Sequence, residues 1–152
     1  MIKFLPIKKE DILKYWDKLE THLNKAVKLD PDKYDIESIK NAAITGNYKV
    51  WVVFDDKNPN DVFASVATRI LKFPKGNILN IEFVGGSRMK EWLEITHKTL
   101  EDYARSEGCI SMQAQLRTDS VVDKIEKYDQ WGWEILYKTY EKKLEERLWT
   151  GN

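Results

Sequence analysis

Two places in this 152-residue chain combine residue types and spacing that can do chemistry. In the first, an apolar run from Asn77 ends at Gly85-Gly86 and passes through Ser87 into an amphipathic helix pattern that begins near Arg88. A strand, a glycine turn and a helix N-terminus together hold a phosphate well, because first-turn amides have no intrahelical acceptor and the macrodipole is positive at that end. Ser87, Arg88 and Lys90 are the side chains able to meet such an anion, with Gly85 and Gly86 permitting a close approach to the backbone. A solvated first turn with ordinary surface charges is the other reading of the same residues. The second place is Glu82, in the strand that runs into that turn. A carboxylate there is a general base, directly or through water, where burial raises its pKa; alternatively it is the polar member of an alternating strand, with Ile81 and Phe83 pointing to the other face. Backbone amides near Phe83 and Val84 are candidate donors to an oxyanion.

The elements that must position these groups follow from periodicity. Ile2 to Ile7 reads as a strand, after which Ile12, Trp16, Leu19, Leu23 and Val27 recur at helical spacing through Ala26. Asp30-Pro31-Asp32 breaks that helix, and Asp35 is the N-cap expected for a second one, carrying Ile36, Ile39, Ala43 and Ile44 inward and ended by Gly46-Asn47. Three strands follow, over Lys49 to Phe54, Phe63 to Phe73 and Ile78 to Val84, joined by turns at 55–61 and 74–77 as an antiparallel meander. The next helix carries Met89, Trp92, Leu93, Thr96, Leu100, Tyr103 and Ala104 on one stripe and stops at Gly108. Ile110, Met112, Ala114 and Leu116 alternate with polar residues, so a strand follows, and the β-α-β passage implies a right-handed parallel crossover. A short helix over 118–127 and a final strand over Trp133 to Leu144 complete an α/β (α+β) order of β-α-α-β-β-β-α-β-α-β, in a single domain over 1–152 whose last residues, 145–152, are frayed.

Composition narrows the function classes. Lysine plus arginine equal aspartate plus glutamate at 25 each, so no overall field favours nucleic acid or an anionic membrane surface. No run approaches the roughly 18 apolar residues a membrane span needs, and the N-terminus is too short for a signal peptide, so a soluble, cytoplasmic protein is expected. The lone Cys109 makes no intrachain disulfide and reads as a buried, inert thiol in a strand. His22 and His97 have no partner at metal-ligand spacing, so no metal is expected. The tryptophans sit mostly at core-facing periodic positions.

Two local motifs sharpen this. Leu100-Glu101-Asp102-Tyr103-Ala104-Arg105-Ser106-Glu107-Gly108-Cys109 and Tyr128-Asp129-Gln130-Trp131-Gly132-Trp133, in this order of elements, resemble the GNAT acyltransferase superfamily over nearly the whole chain. The resemblance implies an N-acyltransferase with a GNAT-like mixed central sheet, transferring an acetyl group from acetyl-CoA to a small-molecule or protein amine of unknown identity. It implies that the pantetheine arm lies where the strand ending at Val84 splays from the one beginning at Cys109, with the pyrophosphate at the turn Gly85 to Lys90. Tyr128 matches the tyrosine that often serves as the acid, and Glu82 stands where the base belongs. Arg88 falls on the first position of the family's phosphate-loop motif, while Glu91 and Leu93 stand where its small residues belong, and Val121 replaces its helper asparagine. The segment Val84 to Leu93 also resembles GNAT-like proteins of tailed bacteriophages, many of which lack the cofactor loop. That implies an alternative: a degenerate module without acetyl-CoA, in the host cytoplasm or the virion, whose open sheet accepts a phage protein partner or a second copy as a homodimer.

Overall fold

The apolar residues at helical spacing near the N-terminus form α1 (Ile12–Val27), which buries Ile12, Trp16, Leu19, Leu23, Ala26 and Val27 on one stripe. The computed structural model describes residues 1–115, 131–134, 136 and 139–144, and the chain divides into two units, Met1–Arg117 and Thr118–Asn152. In the first unit α1 follows β1 (Ile2–Ile7) and precedes α2 (Ile36–Thr45). Asp35 caps α2 as expected: its carboxylate accepts from the Ser38 amide at 2.8 Å and the Ser38 hydroxyl at 2.7 Å. Gly46 ends the helix in the left-handed region, φ 85°, where a side chain would be strained.

Strands β2 (Lys49–Asp55), β3 (Asn58–Phe73) and β4 (Gly76–Gly86) form the meander, and α3 (Met89–Ser106) leads into β5 (Cys109–Ala114). The sheet order is β1-β2-β3-β4-β5, antiparallel except for the parallel β4–β5 pair that the α3 crossover produces. Alternation sends Val50, Ala67 and Phe83 to the face covered by α1 and α2. Trp51, Val53, Val66 and Leu79 go to the opposite face, covered by Trp92, Leu100 and Ala104 of α3. Each face thus has its own apolar core, which is why the central strands read as continuous apolar runs. Among the described residues no helix is long and apolar enough to cross a membrane.

The structure redraws some boundaries. β3 begins at Asn58 rather than Phe63, because the chain turns back at once over Asp56 and Lys57 and re-enters the ladder as Asp55↔Asn58, with irregular register before Val62. In β5 the register slips between Asn77↔Cys109 and Ile78↔Ser111, leaving Ile110 as an extra residue. Cys109 then packs with the α3-side core and Ile110 is 66% exposed, so the apolar face expected from Ile110 onward begins instead at Cys109 and resumes at Met112. The helix expected over 118–127 lies outside the described residues. In the second unit the described residues of 133–144 take up no strand.

Candidate functional site

The β3–β4 ladder pairs Ala67 with Phe83 but Thr68 with Ile81, which makes Glu82 the extra residue of a β-bulge. A bulge breaks the two-residue alternation. Ile81 packs on the α3 side and Phe83 on the α1/α2 side, so the expectation that both neighbours of Glu82 share the opposite face is overturned. Glu82 itself turns to the α1/α2 side, where it meets Arg69, whose Nε donates to its Oε1. The Glu82 side chain is only 3% exposed against 44% for Arg69, so the pair joins a buried carboxylate to a half-open guanidinium. Burial pulls the Arg69 pKa down, but the hydrogen bond and charge of Glu82 outweigh it and leave it above the usual guanidinium value. Tyr48 lies beneath Arg69, 5.9 Å from ring centre to guanidinium carbon, and Tyr34 stands edge-on to Phe83 at 5.0 Å.

The bulge also lies beside the last β4–β5 pair among the described residues. The parallel β4–β5 ladder ends at Ile81↔Ala114, while β4 runs on to Gly86. Over Glu82 to Gly86 this edge of β4 has no partner strand among the described residues, and Phe83 and Val84 lie on it.

The turn that follows is held from within. A Cβ on Gly85 would lie 1.7 Å from the backbone carbonyl oxygen of His22 on α1, and one on Gly86 would lie 2.4 Å from both the Phe63 carbonyl oxygen and the Ala64 Cβ. Both glycines are therefore required by packing of the chain against itself. The Ser87 amide donates to the Phe63 carbonyl at 2.9 Å, and the Trp92 indole donates to the Ser87 carbonyl at 2.7 Å. Arg88 adopts the left-handed conformation, φ 61°, before the first turn of α3. Its guanidinium lies 4.0 Å over the Phe63 ring and grips Glu91 with two donors, Nη2 to Oε1 at 2.7 Å and Nε to Oε2. The hydrogen bond from Arg88 lowers the Glu91 pKa, and Glu91 in turn raises that of Arg88. A carboxylate of the chain itself thus sits in the first turn of α3, where the macrodipole favours an anion.

These residues fit the two ends of an acetyl-CoA differently. The β4 edge beyond Ile81 offers backbone donors and acceptors suited to the amide-bearing pantetheine arm. At the α3 N-terminus, Ser87, Arg88 and Lys90 are a donor set suited to a pyrophosphate, with Arg88 shared between that anion and Glu91. Tyr128 lies outside the described residues.

Several features around Glu82 and α1 escape sequence reasoning. Arg69, Tyr34 and Tyr48 were not singled out by spacing, although Arg69 interrupts the apolar run Val66-Ala67-Thr68 to Ile70-Leu71 just as Glu82 interrupts its own, and opposite charges in adjacent strands are a signal. His22 is half-buried, its Nε2 2.7 Å from the Val62 carbonyl oxygen, and it ties α1 to β3. Burial pushes the half-buried Cys109 thiol up, as suits an unreactive cysteine.

A mixed sheet with two helices on one face, one on the other, and a parallel β4–β5 pair makes a GNAT-like fold. Solved structures share it. An aminoglycoside acetyltransferase from an uncultured soil metagenomic sample superimposes with a TM-score of 0.69 at 10% identity, over 95% of this chain and 99% of that one. Ribosomal-protein-alanine N-acetyltransferase from Brucella melitensis biovar Abortus 2308 gives 0.67 at 11% identity, over 95% and 100%. A second soil metagenomic aminoglycoside acetyltransferase, solved with sisomicin, gives 0.64 at 12% identity, over 95% and 97%. No protein-family model matches the chain, and no curated protein matches its sequence. At such identities the likeness establishes the fold.

Proposed function

We propose that this protein is an N-acyltransferase that moves an acetyl group from acetyl-CoA to an amine. The observation that carries the reading is the bulge at Glu82, which brings a buried carboxylate beside the last described β4–β5 pair. Acetyl-CoA would supply the activated thioester. The β4 edge over Phe83 and Val84 would hold the pantetheine arm and present amide donors to the thioester carbonyl oxygen, and Gly85 to Lys90 would hold the pyrophosphate. Glu82 would take the proton of the incoming ammonium, directly or through water, and Tyr128 would return one to the departing sulfur. The acetyltransferases of the same fold name their acceptors as an aminoglycoside and a ribosomal-protein alanine, which supports the reaction class.

Calorimetry with acetyl-CoA tests the reading. Wild type is expected to bind and Arg88→Glu to bind more weakly, while Glu82→Gln is expected to lower kcat by about 10²-fold or more with binding retained. Silence of the wild type at millimolar acetyl-CoA, in heat and in thermal shift alike, would sink it.

The Arg88–Glu91 grip favours a second reading, a module that works by binding a protein partner without acetyl-CoA, as the phage resemblance implies. Removing the carboxylate separates the two. If wild type is silent and Glu91→Gly binds acetyl-CoA, the chain has closed its own phosphate site and the second reading stands.

A further inference from the structure

On the α1/α2 face, next to the Glu82 bulge, three strands bring polar residues into one row: Arg69 on β3 pairs with Asn80 on β4, and Asn80 pairs with Gln113 on β5. The core of this face is apolar, with Val50, Ala67 and Phe83. Asn80 is 8% exposed, and its carboxamide makes no hydrogen bond among the described residues and is not sealed from solvent. Arg69 spends only Nε on Glu82; its terminal nitrogens make no hydrogen bond among the described residues, and the side chain is 44% exposed. The row therefore presents unspent donors beside a buried carboxylate, with Tyr48 beneath the guanidinium.

Charge decides what fits. A plain amine arriving at Glu82 would put two cations, its own ammonium and Arg69, on one buried carboxylate. An acceptor that carries a carboxylate beside its amine brings one charge of each sign, so both Glu82 and Arg69 keep a partner when it enters. We propose that the acceptor is a free amino acid or a similar amine with an adjacent carboxylate, its carboxylate held by the Arg69 terminal nitrogens and Asn80 and its ammonium facing Glu82. This rests on the acyltransferase reading above and names the acceptor class of that site.

The test compares each free amino acid with its own amide, which keeps the amine and side chain and removes the carboxylate charge. Acetyl transfer is followed by thiol release, and binding of the same ligands is followed by calorimetry without acetyl-CoA. The free acids are expected to be preferred by about tenfold or more in kcat/KM, through KM, since a charge-assisted hydrogen bond is at stake. Arg69→Gln should erase the preference, and Arg69→Lys, which keeps the charge should the first variant fail to fold, should retain part of it. Equal use of acids and amides, or an Arg69→Gln loss that is the same for both, overturns the proposal while leaving the acyltransferase reading intact. If nothing is acetylated, that reading falls, and calorimetry still decides the acceptor site: free acids bound no better than amides overturn it.

Discussion

Gly85 faces the backbone of α1 at a distance that leaves no room for a methyl group. Gly85→Ala is accordingly expected to cost roughly 3 kcal/mol, near the upper end for overpacking because the obstacle is a carbonyl group of a packed helix, as measured by urea denaturation. The same residue shows how far the sequence could be read. The Gly-Gly turn was plain in the sequence, and phosphate approach was the reason it suggested; the reason the structure gives is close packing on His22 and Phe63, contacts that join residues far apart in the chain. Glu82 was legible as a candidate base, but its face was not, since a bulge is set by the register between two strands and leaves no mark in the period of either. Arg69 was missed for the same reason: its meaning lies in a partner thirteen residues away in sequence.

Among the elements, α3 is anchored at its N-terminus by one side chain. Trp92 is 1% exposed and its indole donates to Ser87, so it both fills the α3-side core and ties the helix to the turn. Trp92→Ala should cost about 3 to 5 kcal/mol, and Trp92→Phe, which keeps most of the ring and loses the hydrogen bond, should cost nearer 1 kcal/mol beyond its small packing loss. Differential unfolding of the two variants checks the division. The helices were the most legible elements because their stripes and caps are local: Asp35, Gly46 and the spacing of Trp16, Leu19 and Leu23 all behave as their types dictate. Asp35→Ala removes two hydrogen bonds at the start of α2 and should lower the melting temperature by a few degrees. The strands were legible as segments but not in their edges, since β3 starts five residues early and β5 takes its core contact from Cys109 rather than Ile110.

At the scale of the whole molecule, stability depends on pH through groups that folding shields from water. Burial holds the His97 pKa below its ordinary value of 6.5, against the opposing charge of Glu101. As pH falls the unfolded chain therefore takes the proton first. The contribution of His97 is complete above the unfolded value and is lost as pH falls through the lower folded one. Urea midpoints should drop between about pH 7 and pH 5, and His97→Gln should flatten that slope; an unchanged slope would remove His97 as the cause. The fold class and the order β-α-α-β-β-β-α-β were readable because two apolar cores, one per sheet face, leave a strong pattern in every central element. The register slip that turns Cys109 inward was not, since it is set between two strands. The last described β4–β5 pair, Ile81↔Ala114, has a consequence in time. Over Val84 to Gly86, backbone amides turned toward β3 are locked while those turned the other way meet no strand among the described residues, so deuterium should enter alternate positions of one short segment quickly and their neighbours slowly. A ligand lying along that edge would slow the fast set alone, and the segment would report occupancy of the gap residue by residue.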